Sequence, residues 1–134
     1  MPAVNGILET AIYVDDVRRS ADFYRDLLGC EVLVQDDRFC ALSIGGKDVL
    51  LLFRRGASRQ PISLPGGVVP PHDGSGTTHF AFTISAGELE AWRERLGDRL
   101  ESTVHWERGG TSLYFRDPDG HCVEVVTPGC WSIY

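Results

Sequence analysis

The stretch from Ile7 to Val14 is short, β-branched and aromatic, and it stops at Asp15-Asp16. That pattern predicts a strand followed by a helix N-cap. Val17, Ala21, Tyr24 and Leu28 then recur at helical spacing, Phe23 and Leu27 widen the stripe, and Gly29 ends it. Three strand-like segments follow: Glu31 to Gln35, Phe39 to Ile44 and Asp48 to Phe53. Asp36-Asp37 and Gly45-Gly46 are the turn signals between them. The order is βαβββ.

The same order returns further along. Thr78 to Ile84 reads as a strand, and Leu89, Trp92 and Leu96 form a helical stripe closed by Gly97. Leu100 to Trp106, Thr111 to Arg116 and Cys122 to Thr127 read as strands, with Asp117-Pro118-Asp119-Gly120 as a tight turn between the last two. Glu9 corresponds to His79, Phe23 to Trp92 and Leu27 to Leu96. A repeated βαβββ unit predicts one α+β domain over residues 1–134, with module one at 6–54, module two at 78–128 and a linker at 55–77. The linker is rich in Gly and Pro. Its Pro70-Pro71-His72-Asp73-Gly74 turn also admits a lid that carries an imidazole.

Strand alternation places the chemistry. Glu9, Ala11 and Tyr13 share one face of the first strand; His79, Ala81 and Thr83 share one face of its counterpart; Cys122, Glu124 and Val126 share one face of the last strand. In each case the opposite face is apolar and should pack on a helix. Each ionisable residue alone has an ordinary explanation: Glu9 on an exposed edge, His79 as a hydrogen-bonded core histidine, Glu124 paired with an arginine. A glutamate in a strand is disfavoured and costly to bury without a partner. Glu9, His79 and Glu124 converging would make a site for a divalent cation.

Composition removes other classes. The chain has 134 residues and a net charge of −6, with 43% hydrophobic and 24% charged residues. That is the balance of a folded domain without the basic footprint of a nucleic-acid binder or a lipid-binding patch. No apolar run approaches the roughly 18 residues of a membrane span. The N-terminus has no basic or apolar leader, so the expected location is the cytoplasm. Cys30, Cys40, Cys122 and Cys130 form no CxxC pair and are expected to be buried thiols, not disulfides.

The chain resembles the vicinal-oxygen-chelate superfamily, which includes glyoxalase I, the fosfomycin- and bleomycin-resistance proteins and the extradiol dioxygenases. The resemblance rests on Tyr13-Val14-Asp15-Asp16 through Gly29, on His79-Phe80-Ala81-Phe82, and on Ser112 through His121 leading to Glu124. It implies paired βαβββ modules whose mixed sheets curl around a central cleft, usually in a homodimer. It also implies a metal held by Glu9, His79 and Glu124. Leu50, Leu51 and Leu52 stand where glyoxalase I has a fourth ligand, which favours three ligands. One histidine with two carboxylates departs from the two-histidine set of Fe(II) dioxygenases. The implied cofactor is Mn, Zn, Ni, Mg or Fe as a divalent ion, with Mn²⁺ and Zn²⁺ leading. It would act as a Lewis acid on two substrate oxygens.

The resemblance implies Glu124 and Tyr114 as catalytic residues, and Ser112, Tyr114, Arg116 and Trp106 as a pocket for a small-molecule substrate. Val104 and Ile133 stand near places where fosfomycin enzymes carry basic residues, while Arg54 and Arg108 remain candidate anion ligands. Trp131 would line the pocket, or pack in the core or a dimer interface. His72 is the candidate acid–base should its loop close, and His121 is expected at the surface. The implied activity is that of a lyase, an isomerase or an enzyme adding thiol or water. The alternative is a drug- or metabolite-sequestering protein without catalysis.

Overall fold

Helix α1 (Val17–Leu28) shows how local chemistry sets the elements. The Asp16 side chain accepts a hydrogen bond from the Arg19 amide at 3.0 Å, and Gly29 closes the helix at φ 66° with its N–H on the Arg25 carbonyl. A left-handed C-terminal residue is the conformation glycine adopts without strain. Val17, Ala21, Tyr24 and Leu27 are buried on one stripe of the helix. Each large apolar side chain removed from water contributes about 1.5–3 kcal/mol.

The computed structural model describes residues 1–134 as two compact units, Met1–Gly76 and Thr77–Tyr134. In the first, strands β1 (Glu9–Val14), β2 (Val32–Gln35), β3 (Phe39–Ile44) and β4 (Asp48–Arg54) form a mixed sheet in the order β1-β4-β3-β2, with β1 parallel to β4. Ile12, Val14, Cys40, Leu42, Leu50 and Leu52 make its buried face, and α1 packs on β3 and β4. The Gly- and Pro-rich segment that follows holds a two-stranded hairpin, β5 (Ile62–Leu64) with β6 (Gly67–Val69).

The second unit repeats the plan. Strand β7 (His79–Thr83) is followed by helix α2 (Leu89–Leu96), then β8 (Ser102–His105), β9 (Thr111–Arg116) and β10 (Cys122–Val126). Its sheet order is β7-β10-β9-β8, with β7 parallel to β10. Leu113, Phe115, Val123 and Val125 are fully buried on the apolar face. Leu27 and Leu96, matched in the sequence repeat, are both buried. The fold is therefore α+β with two βαβββ units, as the hydrophobic pattern predicts.

Some expectations need correction. Only Cys40 is buried; Cys30, Cys122 and Cys130 are half-buried free thiols. His121 is not at the surface but 1% exposed. Its Nδ1 accepts from the Thr78 amide at 2.9 Å, a main-chain partner 43 residues away in sequence. Trp131 is 71% exposed, which excludes core packing within the chain. The strand expected from Leu100 begins at Ser102, after a 3₁₀ turn over Gly97–Arg99 that Leu100 caps. No helix is long and apolar enough to cross a membrane.

Candidate metal centre

In the second unit the strand register aligns Cys122 with both His79 and Arg116, Glu124 with both Ala81 and Tyr114, and Val126 with Ser112. Partners across a sheet point to the same side. His79, Ser112, Tyr114, Arg116 and Glu124 therefore share the face opposite the apolar core. Glu124 is 5% exposed, so its carboxylate needs partners. Oε2 accepts the hydroxyl of fully buried Ser112, and Ser112 Oγ in turn accepts the Trp106 indole N–H at 2.7 Å. Trp106 thus acts on the carboxylate through Ser112. Its position is set by the turn that follows β8, where its N–H donates to the Gly110 carbonyl and its own carbonyl accepts from Gly109.

The second oxygen of the carboxylate, Oε1, lies 3.3 Å from His79 Nε2. His79 Nδ1 is 2.9 Å from the Cys122 carbonyl, which only accepts, so Nδ1 carries the proton. In the neutral ring Nε2 then presents a lone pair toward a carboxylate oxygen. Two acceptors face each other, an arrangement that calls for either a proton or a cation. A histidine whose far nitrogen donates to a main-chain carbonyl is the usual arrangement of a metal-ligating imidazole. The donor set therefore fits a divalent ion. Within this unit no third His, Cys, Asp or Glu joins the pair.

Tyr114 lies beside the pair, with its ring centroid 6.0 Å from that of His79. Burial first, then the Glu124 carboxylate, push its phenol above the ordinary value. The hydroxyl therefore remains a hydrogen-bond donor at neutral pH. Arg116 is engaged at the edge of the same face: Nε donates to Glu101 at 3.0 Å and Nη1 to the Gly120 carbonyl at 3.1 Å. Arg108 lines a hollow of about 450 Å³ with Val104, His105, Trp106, Glu107 and Cys130.

Glu9 belongs to the first unit and is exposed at the start of β1. The register there pairs Ala11 with Leu51, as Ala81 pairs with Glu124 in the second unit. Leu51 is therefore the counterpart of Glu124, which selects one of the three leucines left open by the sequence. Also on this face, Tyr13 and His72 meet at 2.7 Å between hydroxyl and Nδ1, and the His72 ring stands edge-on to Phe53 at 4.6 Å. The His72 segment is pinned by Asp73, which takes the Arg59 guanidinium at 2.7 Å and the Gly56 amide at 3.0 Å. Arg54 lines a separate hollow among Asp15, Asp16, Asp36 and Asp37.

Three contacts escaped the sequence: the Trp106–Ser112–Glu124 relay, the Cys122 carbonyl on His79, and the Thr78–His121 bond. The first was recoverable by pairing β8 with β9 across the Glu107–Gly110 turn. The other two involve main-chain atoms brought near by the β7–β10 pairing and leave no mark in residue type.

Comparison with known proteins adds the lineage. A family model described as the glyoxalase/bleomycin resistance protein/dioxygenase superfamily matches residues 6–125. The chain is 31% identical over 128 residues to metallothiol transferase FosB of Staphylococcus saprophyticus, covering 92% of this chain and 78% of that protein. It is 32% identical over 115 residues to glutathione transferase FosA of Serratia marcescens, covering 84% and 73%. Among solved structures, lactoylglutathione lyase from Agrobacterium tumefaciens superposes with a TM-score of 0.87 at 30% identity, covering 98% and 99% of the two chains.

Proposed function

Because the chain belongs to the glyoxalase/bleomycin resistance protein/dioxygenase superfamily, we propose that it is a metal-dependent enzyme acting on a small oxygenated molecule. Glu9, His79 and Glu124 hold one divalent ion, with Mn²⁺ and Zn²⁺ the leading candidates. When bound, the ion supplies Lewis acidity to two neighbouring substrate oxygens. The relatives named as thiol transferases favour addition of a thiol over lyase or isomerase chemistry. The working form is a cytoplasmic homodimer; exposed Leu64, Val68 and Ile133 supply apolar surface for a partner.

The carrying observation is the 3.3 Å approach of His79 Nε2 to Glu124 Oε1, with Nδ1 directed at the Cys122 carbonyl. The chain's own residues divide the remaining work. Ser112 orients the Glu124 carboxylate, and Trp106 orients Ser112. Tyr114, kept protonated, donates a hydrogen bond to a substrate oxygen. Holding donors in place before the reaction is where such sites gain most of their effect.

One observation favours a second reading. A protonated His79 would satisfy Glu124 as an ion pair, and the same face would then serve a metal-free binding protein. Elemental analysis of purified protein, with Mn²⁺ and Zn²⁺ titrations followed by calorimetry, separates the two. The enzyme reading expects one ion per chain, lost in Glu124→Ala. Wild-type protein that takes up no divalent ion ends it.

A further inference from the structure

We propose that Arg38 anchors a second binding site, in the first unit, for the carboxylate of a small organic acid. The proposal goes beyond the metal reading and holds whether or not an ion binds. Strand register sets Tyr13, Phe53 and Phe39 side by side across β1, β4 and β3. Their rings stack in a row, Tyr13 on Phe53 at 5.9 Å and Phe53 on Phe39 at 5.6 Å. The Arg38 guanidinium lies over this row, 4.8 Å from the Phe39 centroid and 5.9 Å from that of Phe53. Stacking of this kind fixes the plane of the guanidinium and leaves its N–H edge available.

Ser58 completes the brace. It is 2% exposed, its Oγ accepts Arg38 Nη1 at 3.2 Å, and its carbonyl accepts the His72 amide at 2.9 Å. The same buried residue therefore holds Arg38 and the segment whose His72 ring stands edge-on to Phe53. Three arginines of the chain are half-buried, and two of them have a carboxylate: Arg55 takes Asp15 at 3.0 Å and Arg93 takes Glu90 at 3.2 Å. Arg38 has none, and its Nε and Nη2 bond to no protein acceptor. The neighbouring Asp36 carboxylate is committed elsewhere, to the main-chain amides of Arg38 at 2.7 Å and Phe39 at 2.9 Å. A guanidinium held in one plane with Nε and Nη2 unmatched suits a planar anion with two oxygens, taken by two parallel hydrogen bonds. Asp36 and Asp37 adjoin Arg38 in the chain and repel a dianion more than a monoanion, which favours a carboxylate over phosphate.

The test titrates the full chain, isotope-labelled and without added metal, with benzoate, benzamide and inorganic phosphate at neutral pH. Binding is read by NMR from the arginine Nε–H and main-chain amide signals. Benzoate should shift the Arg38 Nε–H signal and saturate; benzamide, the same ring without the charge, should not, and phosphate should bind more weakly than benzoate. Arg38→Gln removes a charge-assisted pair of hydrogen bonds and should weaken benzoate at least about tenfold. Arg38→Lys keeps the charge without the fork and should recover only part of that loss. Arg54→Gln, in the acidic hollow, should leave benzoate binding unchanged. Amide spectra establish that each variant is folded, and the three probes on wild-type protein decide the matter where one is not. Benzoate that does not saturate, or that binds Arg38→Gln as it binds wild type, overturns the site. Phosphate that binds at least as tightly as benzoate overturns its assignment to a carboxylate. None of these results bears on uptake of a divalent ion.

Discussion

Ser112→Ala tests the relay that holds Glu124. Ser112 is fully buried and Glu124 is 5% exposed, so water does not readily replace the lost hydroxyl. The deletion removes a hydrogen bond donated to a charged acceptor, worth about 1.5–3 kcal/mol, and leaves Tyr114 as a remaining side-chain hydrogen-bond partner of Glu124. Trp106 is 37% exposed, so its indole N–H can turn to solvent and adds little to the cost. The expected destabilisation of metal-free protein is therefore about 2–3 kcal/mol. Trp106→Phe keeps most of the ring and removes one hydrogen bond between neutral groups, which costs about 1 kcal/mol. In the double variant the Trp106 cost should largely vanish, because its acceptor is already gone. Urea unfolding in the presence of a chelator gives the midpoints, and an unchanged slope licenses the comparison. A Ser112→Ala protein within about 0.5 kcal/mol of wild type would refute the argument, as would full additivity with Trp106→Phe.

Two further outcomes follow from the first unit. A Cβ on Gly74 would overlap the Tyr13 ring, so Gly74→Ala should cost about 1–3 kcal/mol by overpacking. Thermal melts should show most of that cost disappear in a Tyr13→Ala background, and an equal cost in both backgrounds would remove the steric explanation. The Asp73 carboxyl is held down at about 2, by the Arg59 side chain first and the Gly56 amide next. A depressed carboxyl contributes its anchoring fully above the unfolded value near 3.9 and loses it as pH falls toward about 2. Carboxyl-detected NMR titration should find the low value in wild type and a rise toward the ordinary range in Arg59→Ala; an unmoved titration would dismiss the ion pair as its cause.

The parts of the fold that were legible in sequence are those set by local chemistry. Helix α1 has the predicted bounds because Asp16 and Gly29 cap it with their own side-chain and backbone preferences. β3 and β9 also match, each flanked by clear turn residues. The β5–β6 hairpin was hidden because Pro61, Pro65, Gly66 and Gly67 read as irregular chain, although Pro65-Gly66 is the turn itself. His121 was misplaced because its environment is made by Thr78, a residue no local window includes. In the candidate site, strand alternation brings Ser112 and Tyr114 to one face of β9, and Glu124 joins them through the register of β10 against β9. The grouping of His79 with Glu124 follows from the register of β7 against β10, which alternation alone does not supply. Glu9 entered the proposed ligand set through the repeat and the family resemblance.

The hydrogen bond from His79 to the Cys122 carbonyl has a consequence for how such a site can change. The acceptor is a main-chain atom, present whatever side chain stands at position 122. No single side-chain replacement there removes it, so the direction of the imidazole is inherited with the strand pairing. Tyr114, Ser112, Trp106 and Arg116 have no such protection. Under the proposed function, drift at Tyr114 and Arg116 would alter which molecule is recognised, and drift at Ser112 and Trp106 would loosen Glu124, while His79 Nε2 keeps its aim. On that reading, a lineage built on this sheet can exchange one substrate for another without first turning the imidazole away from the face.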